Sequence, residues 1–486
     1  MTTTEKLPPN DQKKKTEDRA LKLAYPTTEF GGGIWRSFFV TYQSMLFMDV
    51  FLFSALMTTI LELFRNVLAW GAAPFFGALC DRHTFKTGKF WPYILWGSIV
   101  TGIVFLIMFI LPFTLPNPAG AVVIIFGLSL LLAVAEPMTN AALMSCYPKL
   151  VKEPIERTWM SSARAIGRQV GLALFGLLVP IMIISFATPG LGGDGAGDPR
   201  GWAMTAIMLA PMGLVFYLIT AFTMKRSKLE KDMVAQSIAE KTGEQKKLTL
   251  SIMLKSVLTN KPLLGIFLFF SLYQLFSFTQ QMSAGWLFRW YYDDFASTGL
   301  FQTARSLTNA GATLLAVPFV KFIKDTRRAF FIACAGVIIS IFFLHMTIPM
   351  GRNYLLAMTI IQNIFAGVVV ALLMPLFAAA GDYSTHKTGV RIDGLVMGVY
   401  ALSIRVGITF SATFRTAVLG AIGYDPAAYM AGEPVPAHVL EGLRNLMGLF
   451  PLIICIIATI IGIILYRLSD KQMDEIRADI KARGIA

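Results

Sequence analysis

Charge is scarce in this chain: Asp, Glu, Lys and Arg make up 15% of its 486 residues, against 55% hydrophobic residues. An ordinary soluble domain carries about 25% charged residues, so a water-soluble fold of this length is excluded. Cysteine is scarcer still. Cys80, Cys146, Cys334 and Cys455 stand singly in or beside apolar segments, with no CxxC and no neighbouring histidines. That pattern excludes a cysteine metal site, and the four read as small hydrophobes. There is no HExxH, no GxSxG and no pair of carboxylates within one apolar run, so neither an enzymatic activity nor a cofactor is expected. The glycine-rich GLGGDGAGDPRG lacks a preceding strand and a phosphate-loop lysine, and reads as an exterior loop. The polar, lysine-rich stretch up to Arg19 lacks the apolar core of a cleavable secretory signal.

What fills the chain is long apolar runs, reflected in a mean hydropathy of +0.61. WPYILWGSIVTGIVFLIMFILPF and LIICIIATIIGIILY reach or approach the roughly 20 residues that cross a hydrocarbon layer of about 30 Å as helix. Twelve such spans are predicted, beginning near Phe30, Met57, Trp91, Ala121, Thr158, Gly201, Leu263, Thr298, Ala329, Tyr354, Ile392 and Leu443. The fold class is an all-α membrane protein. The formal charge of +14 is sorted between alternate loops, which points to a bilayer and not to nucleic acid. Basic residues mark the N-terminal tail, Arg82 to Lys89, Lys149 to Arg157, Lys225 to Lys261, Lys321 to Arg328, Lys387 to Arg391 and the tail after Arg467. By the positive-inside rule these face the cytoplasm, with both termini inside a cell (inner) membrane. The charged KRSKLEKDMVAQSIAEKTGEQKK separates six spans from six. The expected division is a tail over 1–28, a bundle over 29–224, a linker over 225–261, a second bundle over 262–466 and a tail over 467–486. The last tail has the charge spacing of a surface helix.

One octapeptide occurs twice. DRHTFKTG at Asp81 to Gly88 returns as DYSTHKTG at Asp382 to Gly389, with aspartate, threonine, lysine and glycine at identical spacing. Both copies fall on the cytoplasmic side. A carboxylate at a helix end beside a cluster of cations suits a closure latch, so Asp81, Arg82, Lys89, Arg157, Asp382, Lys387 and Arg391 are candidate gate residues.

GALCDRHTFKTGKFWPYILWG, then IERTWMSSAR, then GDYSTHKTGVRIDGL resemble the glycoside-pentoside-hexuronide:cation symporters of the major facilitator superfamily, the group that includes melibiose permease. The resemblance runs from Leu23 to YRLSDKQMDEI. It is carried by Gly88, Lys89, Phe90 and Pro92, by Glu156, Arg157 and Thr158, and by Asp382, Tyr383, Lys387 and Gly394. It implies two six-helix bundles, alternating access and a sugar-derived substrate. The chain departs from the family where a cation would bind: Ala69 and Ala73 stand in place of carboxylates, and Gly33 in place of a sugar-contacting aspartate. Alanine offers sodium no oxygen ligand, so coupling is expected to run through protons at Glu136 or Glu62, or to be absent.

Arginines replace the missing acids. Arg36, Arg65, Arg164, Arg168, Arg405 and Arg415 lie within or near spans, against Glu62 and Glu136. The resemblance places Arg164 on a family arginine and Arg405 on a family cationic position. Arg168 lies one turn beyond Arg164. Arg36 and Arg415 are expected to snorkel toward an interface, while Glu62 and Arg65, three residues apart, either neutralise one another or leave Glu62 a coupling role. The candidate substrate residues are Arg164, Arg168, Arg405, Glu136, Tyr273, Gln274, Gln362, Asn363 and Tyr400. The expected function is monomeric secondary transport of a glycoside or an acidic sugar such as a uronide. An amphiphile or organic-anion carrier, and a non-transporting sensor with a transporter fold, are the alternatives.

Overall fold

The computed structural model describes residues 9–85, 87–114, 118–150, 154–189, 194–239, 260–389 and 393–483. Among these the chain is helical and holds no strand. Its first half comprises α1 (Pro9–Arg36), α2 (Ala55–Arg82), α3 (Trp91–Thr114), α4 (Pro118–Leu150), α5 (Pro154–Ser185), α6 (Pro199–Arg226) and the short α7 (Lys228–Ala239). The second half comprises α8 (Lys261–Trp286), α9 (Ser297–Ala312), α10 (Ala316–Ile323), α11 (Thr326–Thr347), α12 (Arg352–Thr388) and α13 (Asp393–Ala421). It ends with α14 (Pro426–Met430), α15 (Ala437–Met447), α16 (Leu449–Leu465) and α17 (Asp470–Ala482). Ten of the described helical stretches are long and apolar enough to cross a membrane. α1, which carries Glu29 and Arg36, and α2, which carries Glu62 and Arg65, are not among them. The outward faces are apolar: along α16, Ile453, Ile456, Ile460, Ile463 and Ile464 are exposed in a helical stripe, as a lipid-facing surface requires.

The first helix starts ahead of the first predicted span. It begins at Pro9, well inside the stretch assigned to a tail over 1–28. Leu21, Ala24, Tyr25 and Thr28 are buried at helical spacing, and that periodicity was masked by the surrounding lysines.

The chain forms two compact units. One holds Met1–Phe53 and Phe64–Glu244, the other Ser54–Leu63 and Gln245–Ala486. α2 is therefore divided: its first residues group with the second half of the chain. In the first unit α1 packs on α5 and α6, and α3 on α4 and α6. Glycines set these distances. A Cβ on Gly33 would lie 2.9 Å from the Cα of Gly171, and one on Gly32 would lie 2.7 Å from the Tyr217 hydroxyl. Small residues let helices approach closely where lipid supplies no hydrophobic drive. In the second unit α8 packs on α13 and α16, and α12 on α9 and α11, around a core of Phe269, Phe270, Tyr273, Phe330 and Phe377.

Each half opens with a helix that ends alike. α1 continues through π turns over Ser37–Tyr42 and Leu46–Val50, and α8 through one over Leu287–Tyr291. Phe53 then bonds back to Phe47 and Asp294 back to Phe288, both at 2.9 Å. The residue before each closure has left-handed backbone, Leu52 at φ 57° and Asp293 at φ 51°. No sequence pattern announced this repeat, because it lies in backbone geometry.

Candidate functional site

In the first unit an acid missing from the sequence-based set lies at the centre. The FGGG run draws α1 against α5, and Glu29, one residue before it, meets Arg164. The Glu29 carboxylate pairs with Arg164 and, at 3.0 Å, with Arg36. The Arg164 guanidinium also lies 5.2 and 5.7 Å from the ring centres of Tyr25 and Tyr147, and Tyr25 donates to the Leu143 carbonyl. Its Nε is buried with no hydrogen-bond partner among the described residues. Arg168, one turn along α5, is exposed, as is Glu136. Arg65 bonds to Gln43 and, at 3.4 Å, to Asn66. Glu29 escaped notice because the first span was placed from Phe30 onward. The signal was available in the buried helical spacing of Leu21, Tyr25 and Thr28, which carries the helix back past Glu29.

In the second unit Glu62 pairs with Arg415, 353 residues away; the Arg415 Nη2 lies 3.4 and 3.5 Å from the two carboxylate oxygens. Arg415 is 0% exposed and Glu62 3%, so Arg415 does not snorkel. Its guanidinium also faces the Trp286 ring at 5.3 Å. A charge this deep needs a counter-ion more than it needs water.

The polar residues expected to meet substrate are placed mostly in helix packing. Tyr273 is buried with its hydroxyl 3.5 Å from the Ala366 carbonyl. Tyr400 stacks on Phe270 and meets Phe377 edge-on. Asn363 donates to Thr359 in its own helix, and Gln362 donates to Gln280 at 2.7 Å. Gln274 and Arg405 are partly buried in α8 and α13. Arg305 on α9 was also passed over, though it stands only seven residues beyond the predicted span start at Thr298. Its guanidinium binds Gln281 Oε1 at 2.5 Å and Ser277 Oγ at 2.6 Å on α8.

The two octapeptides, alike in sequence, fold differently. In the first, α2 ends at Arg82 and a turn closes with Gly88 donating to the Phe85 carbonyl at 3.1 Å. Glu230 of α7 then caps the start of α3, accepting from the backbone N–H of Lys89, of Phe90 at 2.8 Å and of Trp91 at 3.4 Å. A helix start presents several unpaired N–H groups, and a carboxylate there satisfies them and suits the dipole. Burial pushes the Glu230 carboxyl up from its ordinary value, against the pull of these N–H groups. In the second copy α12 runs on through Thr388, and Gly389, at φ 69°, caps it. Here α17 does the clasping: Arg477 bonds Asp382 at 3.1 Å and Asp479 meets His386 at 2.7 Å. Lys387 is exposed, with its ammonium 5.5 Å from the Tyr383 ring centre. The side chains of Asp81, Arg82 and Arg157, and the whole of Arg391, lie outside the described residues.

Known proteins similar to this chain are membrane carriers. It is 24% identical over 487 residues to the uncharacterized symporter YjmB of Bacillus subtilis, covering 95% of both chains. It is 22% identical to an isoprimeverose transporter of Lactiplantibacillus pentosus, over 83% of this chain and 80% of that one. It is 23% identical to a glucuronide carrier protein homolog of Escherichia coli, over 88% and 86%. Among solved structures, a bacterial homolog of the human lysosomal transporter Spinster superposes with a TM-score of 0.66 at 14% identity, covering 93% and 97%. The nucleoside transporter NupG gives 0.58 at 12% identity, over 92% and 99%. Likeness at that identity shows the fold alone. Residues 25–470 match the family described as MFS/sugar transport protein, and the chain belongs to that major facilitator superfamily family.

Proposed function

We propose that the protein is a secondary transporter that moves an acidic sugar derivative across the cell membrane by alternating access, with both termini cytoplasmic. The observation that supports this reading is the charge balance of the first-unit cluster: Glu29 serves both Arg36 and Arg164, and with Arg168 acting on Glu29 and Glu136 on Arg36 three cations face two carboxylates, one positive charge in excess. A cation in a spanning helix costs from about 2.5 to more than 10 kcal/mol, and such residues characteristically line a solute path. The unpartnered Nε of Arg164 supports the same reading, since a guanidinium edge binds a carboxylate with two parallel hydrogen bonds. The names of two relatives, an isoprimeverose transporter and a glucuronide carrier homolog, support a sugar-derived substrate. The absence of acids at Ala69 and Ala73 supports coupling without sodium. The test is uptake by the purified protein in liposomes, comparing a labelled glucuronide with the matching glucoside under proton and sodium gradients. Faster uptake of the glucuronide, indifferent to sodium, is expected. Equal uptake of both sugars, or accumulation driven by sodium at constant pH, defeats the reading.

A further inference from the structure

The arginines within or near spans that have described ion pairs meet carboxylates: Arg36 and Arg164 meet Glu29, and Arg415 meets Glu62. Arg305 differs. Among the described residues its side-chain partners are Gln281 Oε1 at 2.5 Å, Ser277 Oγ at 2.6 Å and the Ser277 carbonyl at 3.2 Å, all of them neutral. It lies on α9, within a span of moderate hydropathy from Ser297 to Ile323, and is partly buried. Neutral partners orient a guanidinium without cancelling its charge.

The sequence builds this arrangement simply. Ser277 and Gln281 are four residues apart and share one face of α8. Arg305 lies across that turn and places one Nη on each of them. Gln302, one turn earlier on α9, donates to the Gln281 carbonyl at 3.0 Å and fixes α9 against α8 at this level. The result is a held fork of N–H donors flanked by a hydroxyl and an amide. A primary amide offers either its oxygen or its two N–H groups to a neighbour. When an anion takes the place of Gln281 Oε1 on the fork, rotation of the amide turns a donor toward that anion. Resting partner and ligand partner are thus supplied by one side chain.

We infer that Arg305, held by Ser277 and Gln281, is the carboxylate-binding residue of the second unit and takes the acidic group of the substrate, an inference that rests on the transport reading above. A single fixed guanidinium carries one charge in a planar fork, which matches a monoanionic carboxylate. Gln280, which donates to the Met447 carbonyl at 3.0 Å and accepts from Gln362, lies beside it on α8 and belongs to the packing of that helix.

The experiment is titration calorimetry of the full-length protein in lipid nanodiscs with three probes: phenyl glucuronide, phenyl glucoside and cyclohexanecarboxylate. The informative variant is Gln281→Glu, which gives Arg305 a carboxylate of its own and keeps it paired, so the fold is preserved where Arg305→Gln risks loss of α8–α9 contact. Gln281→Glu is expected to weaken the glucuronide tenfold to a hundredfold, the loss of one charged hydrogen bond or more, and to leave the glucoside within about twofold. Arg305→Lys keeps the charge but loses the fork, and is expected to fall between. Equal effects on glucuronide and glucoside, or no effect on either, overturn the inference. If wild type binds cyclohexanecarboxylate but neither sugar, and Gln281→Glu abolishes that binding, the anion site stands and the sugar reading falls. If neither acidic probe binds wild type, the site is overturned.

Discussion

Replacing Glu62 by glutamine tests whether the buried pair with Arg415 holds the second unit together. The two groups are 3% and 0% exposed, and the closest approach is 3.4 Å. At an effective dielectric constant near 20, unit charges at that separation attract by roughly 5 kcal/mol. Removing one partner of such a pair costs about 3 to 5 kcal/mol, because it strands the other charge away from water. Glutamine keeps the shape and one acceptor oxygen, and the Trp286 ring still faces the guanidinium, so the lower end, about 3 kcal/mol, is expected. The neighbouring contact between the Thr59 and Thr416 hydroxyls, 2.5 Å apart, remains. With about 2 °C of melting temperature per kcal/mol for a unit of some 250 residues, Glu62→Gln should melt about 6 °C lower in detergent. Replacing both partners by apolar residues, Glu62→Leu with Arg415→Met, should recover most of the loss. A melting point within 1 °C of wild type for the single variant, or a double variant as unstable as the sum of the singles, would refute the reasoning.

The Glu230 cap should make stability depend on pH. Its folded-state pKa is raised above the ordinary 4.5, so its contribution is fully present below that value and lost as pH rises through the folded pKa; Glu230→Gln should flatten this part of a melting-temperature profile. Its Oε2 is buried with no hydrogen-bond partner among the described residues, which is where the proton would sit. Gly88→Ala should destabilise the first unit by about 1 to 3 kcal/mol, because a Cβ there would lie 2.2 Å from Trp91 Nε1 and 2.6 Å from Glu230 Oε1; an unchanged melting temperature would contradict that geometry. Asp382→Asn breaks a partly exposed pair with Arg477 and should cost under about 1 kcal/mol. If the clasp acts as a latch, turnover should change while substrate affinity does not, and a fall in affinity at constant turnover would sink the latch.

The sequence by itself determined that this chain crosses a membrane many times, because a spanning helix must be apolar over some 20 residues and nothing else in the chain competes with that signal. It also determined which loops are basic, and it carried the motifs of the octapeptides, with their glycines, and the family they belong to. Partnership was decided only by tertiary structure. Glu29 and Arg164 are 135 residues apart and Glu62 and Arg415 are 353 apart, and no local spacing joins them. Sequence proximity offered Arg65 to Glu62, but that helix packing also brings Arg415 to this carboxylate is nowhere in the local pattern. The two octapeptides make the same point in reverse: identical spacing became a capped turn beneath α7 in one copy and a continued helix clasped by α17 in the other. What surrounds Gly88 and Gly389, and not their shared motif, selected between those conformations, because a short polar segment has too few local interactions to fix its own backbone.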